Sequence, residues 1–96
     1  MALFLVKHEH SAETCPAGDP QMGPMLAQHV SPTGAEPFGV DLRGEAVVDG
    51  AHTLFLIAEA GDRADVERYM APFQQVGTVD VLPASHCEAV VARAHC

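Results

Sequence analysis

The stretch Val40-Asp41-Leu42-Arg43-Gly44-Glu45-Ala46-Val47-Val48-Asp49-Gly50-Ala51-His52-Thr53-Leu54-Phe55-Leu56-Ile57-Ala58-Glu59 decides the fold. Two β-rich runs flank Asp49-Gly50, and Asp-Gly between such runs marks a hairpin because both residues tolerate the positive φ of a tight turn. Gly44 inside the first arm predicts a bulge or bend. The second arm is apolar on both sides at Leu54, Phe55, Leu56 and Ile57, which suits a strand with neighbours on each face.

Upstream, residues 2–10 read Ala-Leu-Phe-Leu-Val-Lys-His-Glu-His. They begin apolar and then alternate, so Phe4, Val6, His8 and His10 share one face of a first strand. Ser11 to Gly18 is a loop, and Asp19-Pro20 supplies a helix N-cap and a residue fit for the first turn. Met22, Met25, Leu26, His29 and Val30 recur with the helical period, which predicts a first helix. Pro32, Gly34 and Pro37 punctuate a connection, with room for one helical turn after Ser31-Pro32.

Downstream, Asp62 caps a second long helix whose apolar positions are Val66, Tyr69, Met70 and Phe73. Val79 and Val81 alternate with polar neighbours up to Pro83 and predict a fourth strand. In the tail, Ser85 and Glu88 have capping-box spacing for a short helix, while Val90-Val91 suits a strand equally. The order β-α-β-β-α-β is that of a ferredoxin-like, split-βαβ sheet with both helices on one face. Strands one and three are expected to run parallel and strand four antiparallel to strand one.

Ninety-six residues allow one core and therefore one domain, residues 1–96. Thirteen acidic against five basic residues give a charge of −8, which repels phosphate backbones and anionic lipid, so neither nucleic acid nor membrane is an expected partner. Met1 to Lys7 lacks the basic region, apolar length and cleavage site of a signal peptide, and no run spans a bilayer; a cytoplasmic protein is expected. In that reducing setting Cys15, Cys87 and Cys96 read as free thiols or ligands, with a Cys87–Cys96 bridge as the alternative after export.

With these elements, the chain resembles small bacterial α+β proteins of the ferredoxin-like, dimeric α+β-barrel type, a group that includes a nickel-binding example. The likeness is carried by the element order and by Thr53-Leu54-Phe55-Leu56-Ile57-Ala58-Glu59-Ala60 followed by the Asp62-capped helix. The resemblance implies the fold and a barrel-type dimer; no ligand or catalytic motif of that group maps onto this chain. A homodimer packed sheet to sheet is also expected because the second apolar side of strand three needs a cover.

Six His and three Cys in so short a chain are the clue to chemistry. His8 and His10 project from one strand face, their Cα atoms about 6.5–7 Å apart, and Cys15 follows in a loop able to fold back over the strand end. Two imidazoles and a thiolate suit zinc, copper or nickel. The plainer reading leaves His8 and His10 solvated where the strand frays. His52, His86 and Cys87 form a second candidate set, expected at the opposite sheet end, with Cys87 the choice for a fourth ligand across a dimer or through the tail. His29 reads as a helix C-terminal residue suited to the dipole, and His95-Cys96 as a fraying end.

The leading function is thus a small transition-metal-binding protein using a His-x-His plus Cys site, with His52 and Cys87 as further candidates. The rival is an α+β-barrel enzyme acting on a small apolar molecule through His/Cys acid-base or nucleophilic chemistry. A third reading is a thiol redox or scaffold protein. No Gly-rich phosphate loop, GxSxG, CxxC or HExxH is present, so nucleotide, hydrolase, thioredoxin and zincin readings lack their motifs.

Overall fold

A computed structural model describes all residues, 1–96. Strand β1 (Ala2–Glu9) leads through two single-turn 3-10 segments, Ala12–Thr14 and Pro16–Gly18, into helix α1 (Met22–His29). A one-turn helix α2 (Pro32–Ala35) and a third 3-10 turn, Glu36–Phe38, precede the hairpin of β2 (Val40–Val48) and β3 (Thr53–Ala60). Helix α3 (Arg63–Gln74), strand β4 (Thr78–Ala84) and helix α4 (Cys87–Arg93) complete an α+β chain.

The four strands form one antiparallel sheet in the order β2-β3-β1-β4. The expected parallel pairing of strands one and three is corrected: β1 and β3 are antiparallel neighbours, Ala2 facing Ala60 and Glu9 facing Thr53. The hairpin is the physical reason. A crossover returns the chain so that β2 shares the direction of β1, and the tight turn then reverses β3. The bulge falls where Gly44 predicts it, as a register shift between Leu42 and Gly44.

Alternation sets what lies inside. Phe4, Val6 and His8 of β1 point to the same side as Leu54, Leu56 and Ala58 of β3 and Val81 of β4, and all are buried. Val66, Tyr69, Met70 and Phe73 of α3 cover that face, with Leu26 of α1 and Ala35 of α2 beside them. Burying each large apolar side chain contributes about 1.5–3 kcal/mol. Pro83, which has no N–H to give, sits on β4, an edge strand bonded only to β1.

The Asp62 cap holds, whereas α1 starts at Met22 with Gln21, not Asp19, at its N-cap. The Asp62 carboxylate accepts from the Asp65 N–H at 3.1 Å, and the Asp19 carboxylate accepts from Gln21 and Met22 N–H at 2.8 Å each. Its pKa is lowered by those two bonds, the Met22 bond first. The first helix differs from its periodic stripe: Leu26 alone is buried and Met25 is exposed, because α1 spans only eight residues and packs on a loop and a short turn. The tail is helical, yet His86 rather than Ser85 occupies the N-cap. The Ser85 hydroxyl accepts instead from Arg93 at 3.1 Å.

Candidate metal centre

Antiparallel pairing puts the start of β3 beside the end of β1, so His52 lies next to His10. The His10 N–H donates to the His52 carbonyl at 3.2 Å, and the two rings meet edge to face with centroids 5.2 Å apart. The loop after β1 turns back through Ser11, whose hydroxyl accepts from the Thr14 N–H at 3.3 Å, and this brings Cys15 over the same sheet end. One ligand atom from each of His10, Cys15 and His52 lies within 4.8 Å of the other two, and all three residues are half-buried.

The 15–18 turn is held by α1 packing against it. A Cβ on Gly23 would stand 3.1 Å from the Ala17 carbonyl oxygen and 3.2 Å from that of Pro16. Glycine lets the helix press closely on the segment that carries Cys15; a larger residue there requires the turn to give by a few tenths of an ångström.

His8 stands behind the cluster rather than in it. It is 1% exposed, stacks on His10 with centroids 5.2 Å apart and meets Phe73 edge-on at 5.0 Å. A Cβ on Gly77 would come 2.1 Å from the Glu9 carbonyl oxygen and 3.0 Å from His8 Nε2, so that turn requires glycine. His8 Nε2 and both ring nitrogens of His10 are buried without a hydrogen-bond partner, although buried polar atoms are ordinarily paired.

Burial holds the pKa of His8 below the usual histidine value, the nearby His10 adds to this, and a Phe73 backbone group acts the other way. Burial likewise lowers His10, with His52 contributing. Both effects favour the neutral imidazole, the form that ligates metal.

The second candidate set does not assemble. The end of β4 lies beside the start of β1, Ala84 facing Leu3, so His86 and Cys87 are at the opposite sheet end from His52. His86 Nε2 is 3.8 Å from a Glu59 carboxylate oxygen, and Cys87 and Cys96 are exposed free thiols. Cys87 is therefore no fourth ligand within one chain. His29 is satisfied as the sequence predicts: its Nε2 bonds the Tyr69 carbonyl at 2.6 Å, and the Tyr69 hydroxyl donates to the His29 carbonyl at 2.7 Å.

What residue spacing did not reveal is a cleft of about 510 Å³ between α1 and the β2–β3 hairpin, lined by His8, His10, Cys15 and His52 together with Leu26, Val30, Val47, Leu54 and Phe73. Glu45 and Asp49 are its carboxylates. No helix is long and apolar enough to cross a membrane.

A small α+β chain with a His/His/Cys cluster at one sheet end is the class of protein that fold and site define. Residues 12–95 match a family described as a domain of unknown function, DUF3303, and the chain belongs to that family. The matched stretch holds Cys15 and His52 and begins just after His10. None of the curated proteins matches the chain.

Proposed function

We propose that the protein binds one transition-metal ion, zinc, copper or nickel, through the imidazoles of His10 and His52 and the thiolate of Cys15. The observation that carries this reading is the meeting of three ligand atoms from three separate segments within 4.8 Å. Around tetrahedral zinc, nitrogen and sulfur ligands stand about 3.3–3.6 Å apart, so rotamer-scale movement closes the set on an ion. One of the two unpartnered nitrogens of His10 gains a partner thereby. His8 packs against the His10 ring and fixes its orientation. Three protein ligands leave a coordination position for water or another molecule.

Elemental analysis of protein prepared without a His tag tests this. The expected result is one metal per chain, lost in His10→Ala and in Cys15→Ser. Substoichiometric metal in the wild type, or retention in both variants, overturns it. Free zinc at about a hundred times its dissociation constant should add about 2.7 kcal/mol of stability.

We also propose a ferredoxin-like fold used as a sheet-to-sheet homodimer. Leu5 faces Ile57 and Leu82 across its two neighbours, and that row lies on the side away from α3. Ile57 is 45% and Leu82 48% exposed. Helix α4 buries no residue and leaves Val91 exposed. The radius of gyration, 14.1 Å, exceeds the roughly 12.5 Å of a compact chain of this length. A second copy across a two-fold axis covers the apolar row with its own.

A further inference from the structure

We propose that the cleft beside the metal centre holds a small apolar acid, its carboxylate on the metal and its hydrocarbon tail between α1 and the hairpin. This rests on the metal-binding reading and adds the ligand to it. The volume of about 510 Å³ far exceeds the needs of an ion and its water, and falls within the range of small-molecule sites. Leu26, Val30, Val47, Leu54 and Phe73 supply apolar walls, and the three candidate ligands His10, Cys15 and His52 line the same cleft. Apolar walls beside a ligand cluster fit a molecule with one polar head and one apolar tail.

The charge of the lining narrows the head group. No lysine or arginine lines the cleft, so a divalent ion is the one cation available to an acid. Two neutral imidazoles and one thiolate leave such an ion with a net positive charge and an open position. Glu45 and Asp49 are exposed to solvent, where water and salt screen them.

The test uses the full chain loaded with Co²⁺, whose visible spectrum reports its ligands. The thiolate-to-cobalt band is read first, before any acid is added. Hexanoate is then titrated against acetate and hexylamine. Hexanoate should shift the cobalt bands with an affinity about tenfold or more above acetate, since four further methylenes leave water. In Ala27→Trp, which fills the cleft and keeps all three ligands, the cobalt bands should persist while the preference falls below about threefold. Val47→Phe, on the outer arm of the hairpin, makes the same test if Ala27→Trp fails to fold by circular dichroism. Equal affinity for acetate and hexanoate, tighter binding of hexylamine, or an undiminished preference in the filled variant overturns the proposal while the metal reading stands. Absence of the cobalt–thiolate band overturns the metal reading and this inference with it.

Discussion

The His10 N–H donates to the His52 carbonyl at 3.2 Å, one residue beyond the last ladder pair, Glu9 and Thr53. Two candidate ligands are thereby fixed to one another by main chain instead of by long side chains, which is the preorganisation a metal site needs. His52 has φ of 51°, the left-handed region that costs a non-glycine residue roughly 1 kcal/mol or more. The His10 bond to the His52 carbonyl and the adjoining Thr53–Glu9 pair hold the residue in this conformation.

That strain makes His52→Asn informative, because asparagine tolerates the left-handed region. The metal-free variant should melt at or slightly above the wild-type temperature, while zinc affinity falls by at least about a hundredfold. Differential scanning calorimetry of the metal-free protein and competition with a zinc chelator read the two effects separately. A variant that loses stability and keeps zinc would show His52 to be a turn residue only.

Helix α1 bears on the turn after Cys15 without contributing a candidate ligand. Gly23→Val puts branched carbon where a Cβ already stands 3.1–3.2 Å from two carbonyl oxygens of the 15–18 turn, so the turn must move outward and carry Cys15 with it. The expected outcome is loss of the thiolate-to-cobalt band with the β-sheet circular dichroism retained. A stability cost of about 1–3 kcal/mol, as for other overpacking changes, should accompany it. A normal cobalt spectrum in this variant would detach Cys15 from the site.

The hairpin, the bulge at Gly44, the Asp62 cap and the α3 stripe were legible because each carries a signal within a few residues: a turn dipeptide, a glycine inside a strand, a capping carboxylate and a helical period. The meeting of His10 with His52 was not, because it turns on the relative direction of strands separated by a crossover and a hairpin. With β3 taken as parallel to β1, His52 falls at the wrong sheet end and joins Cys87. With the reversal counted, it meets His10. His8 misled for a different reason. Alternation correctly gives it the face of His10, but α3 covers only the inner part of that face, so Phe73 buries His8 while His10 remains at the rim. The cleft had no signal at all, since its walls come from α1, β1, the hairpin and α3 at once.

The outer sheet row predicts an effect on association. Ile57→Glu combined with Leu82→Glu puts two carboxylates on side chains that are about half exposed in one copy but buried between two. Light scattering after size exclusion should give twice the 10.2 kDa chain mass for the wild type and the single mass for the variant. The metal content should not change, because both residues lie on the sheet face opposite His8. A wild-type protein that is monomeric at micromolar concentration would leave the apolar row without this role.

Tyr69 gives a pH signature that reads the packing of α3 on α1. It is wholly buried, its hydroxyl donates to the His29 carbonyl at 2.7 Å, and its ring stacks on His29. Burial, with a contribution from the charge of Glu45, raises its pKa from 10.0 to about 12. A raised pKa means the folded state keeps its proton longer than the unfolded state. The associated stability is complete below pH 10 and is lost as pH rises from there through about 12, by roughly 3 kcal/mol at the full two-unit difference. The chain has one Tyr and no Trp, so phenolate absorbance reports this residue alone. Its titration midpoint should lie near pH 12 in the folded protein and near 10 in concentrated urea. Tyr69→Phe should cost about 1–3 kcal/mol at neutral pH, by leaving the His29 carbonyl unpaired, and should flatten the loss of stability between pH 10 and 12. An unshifted folded midpoint would mean that the hydroxyl reaches water and that α1 does not close over it.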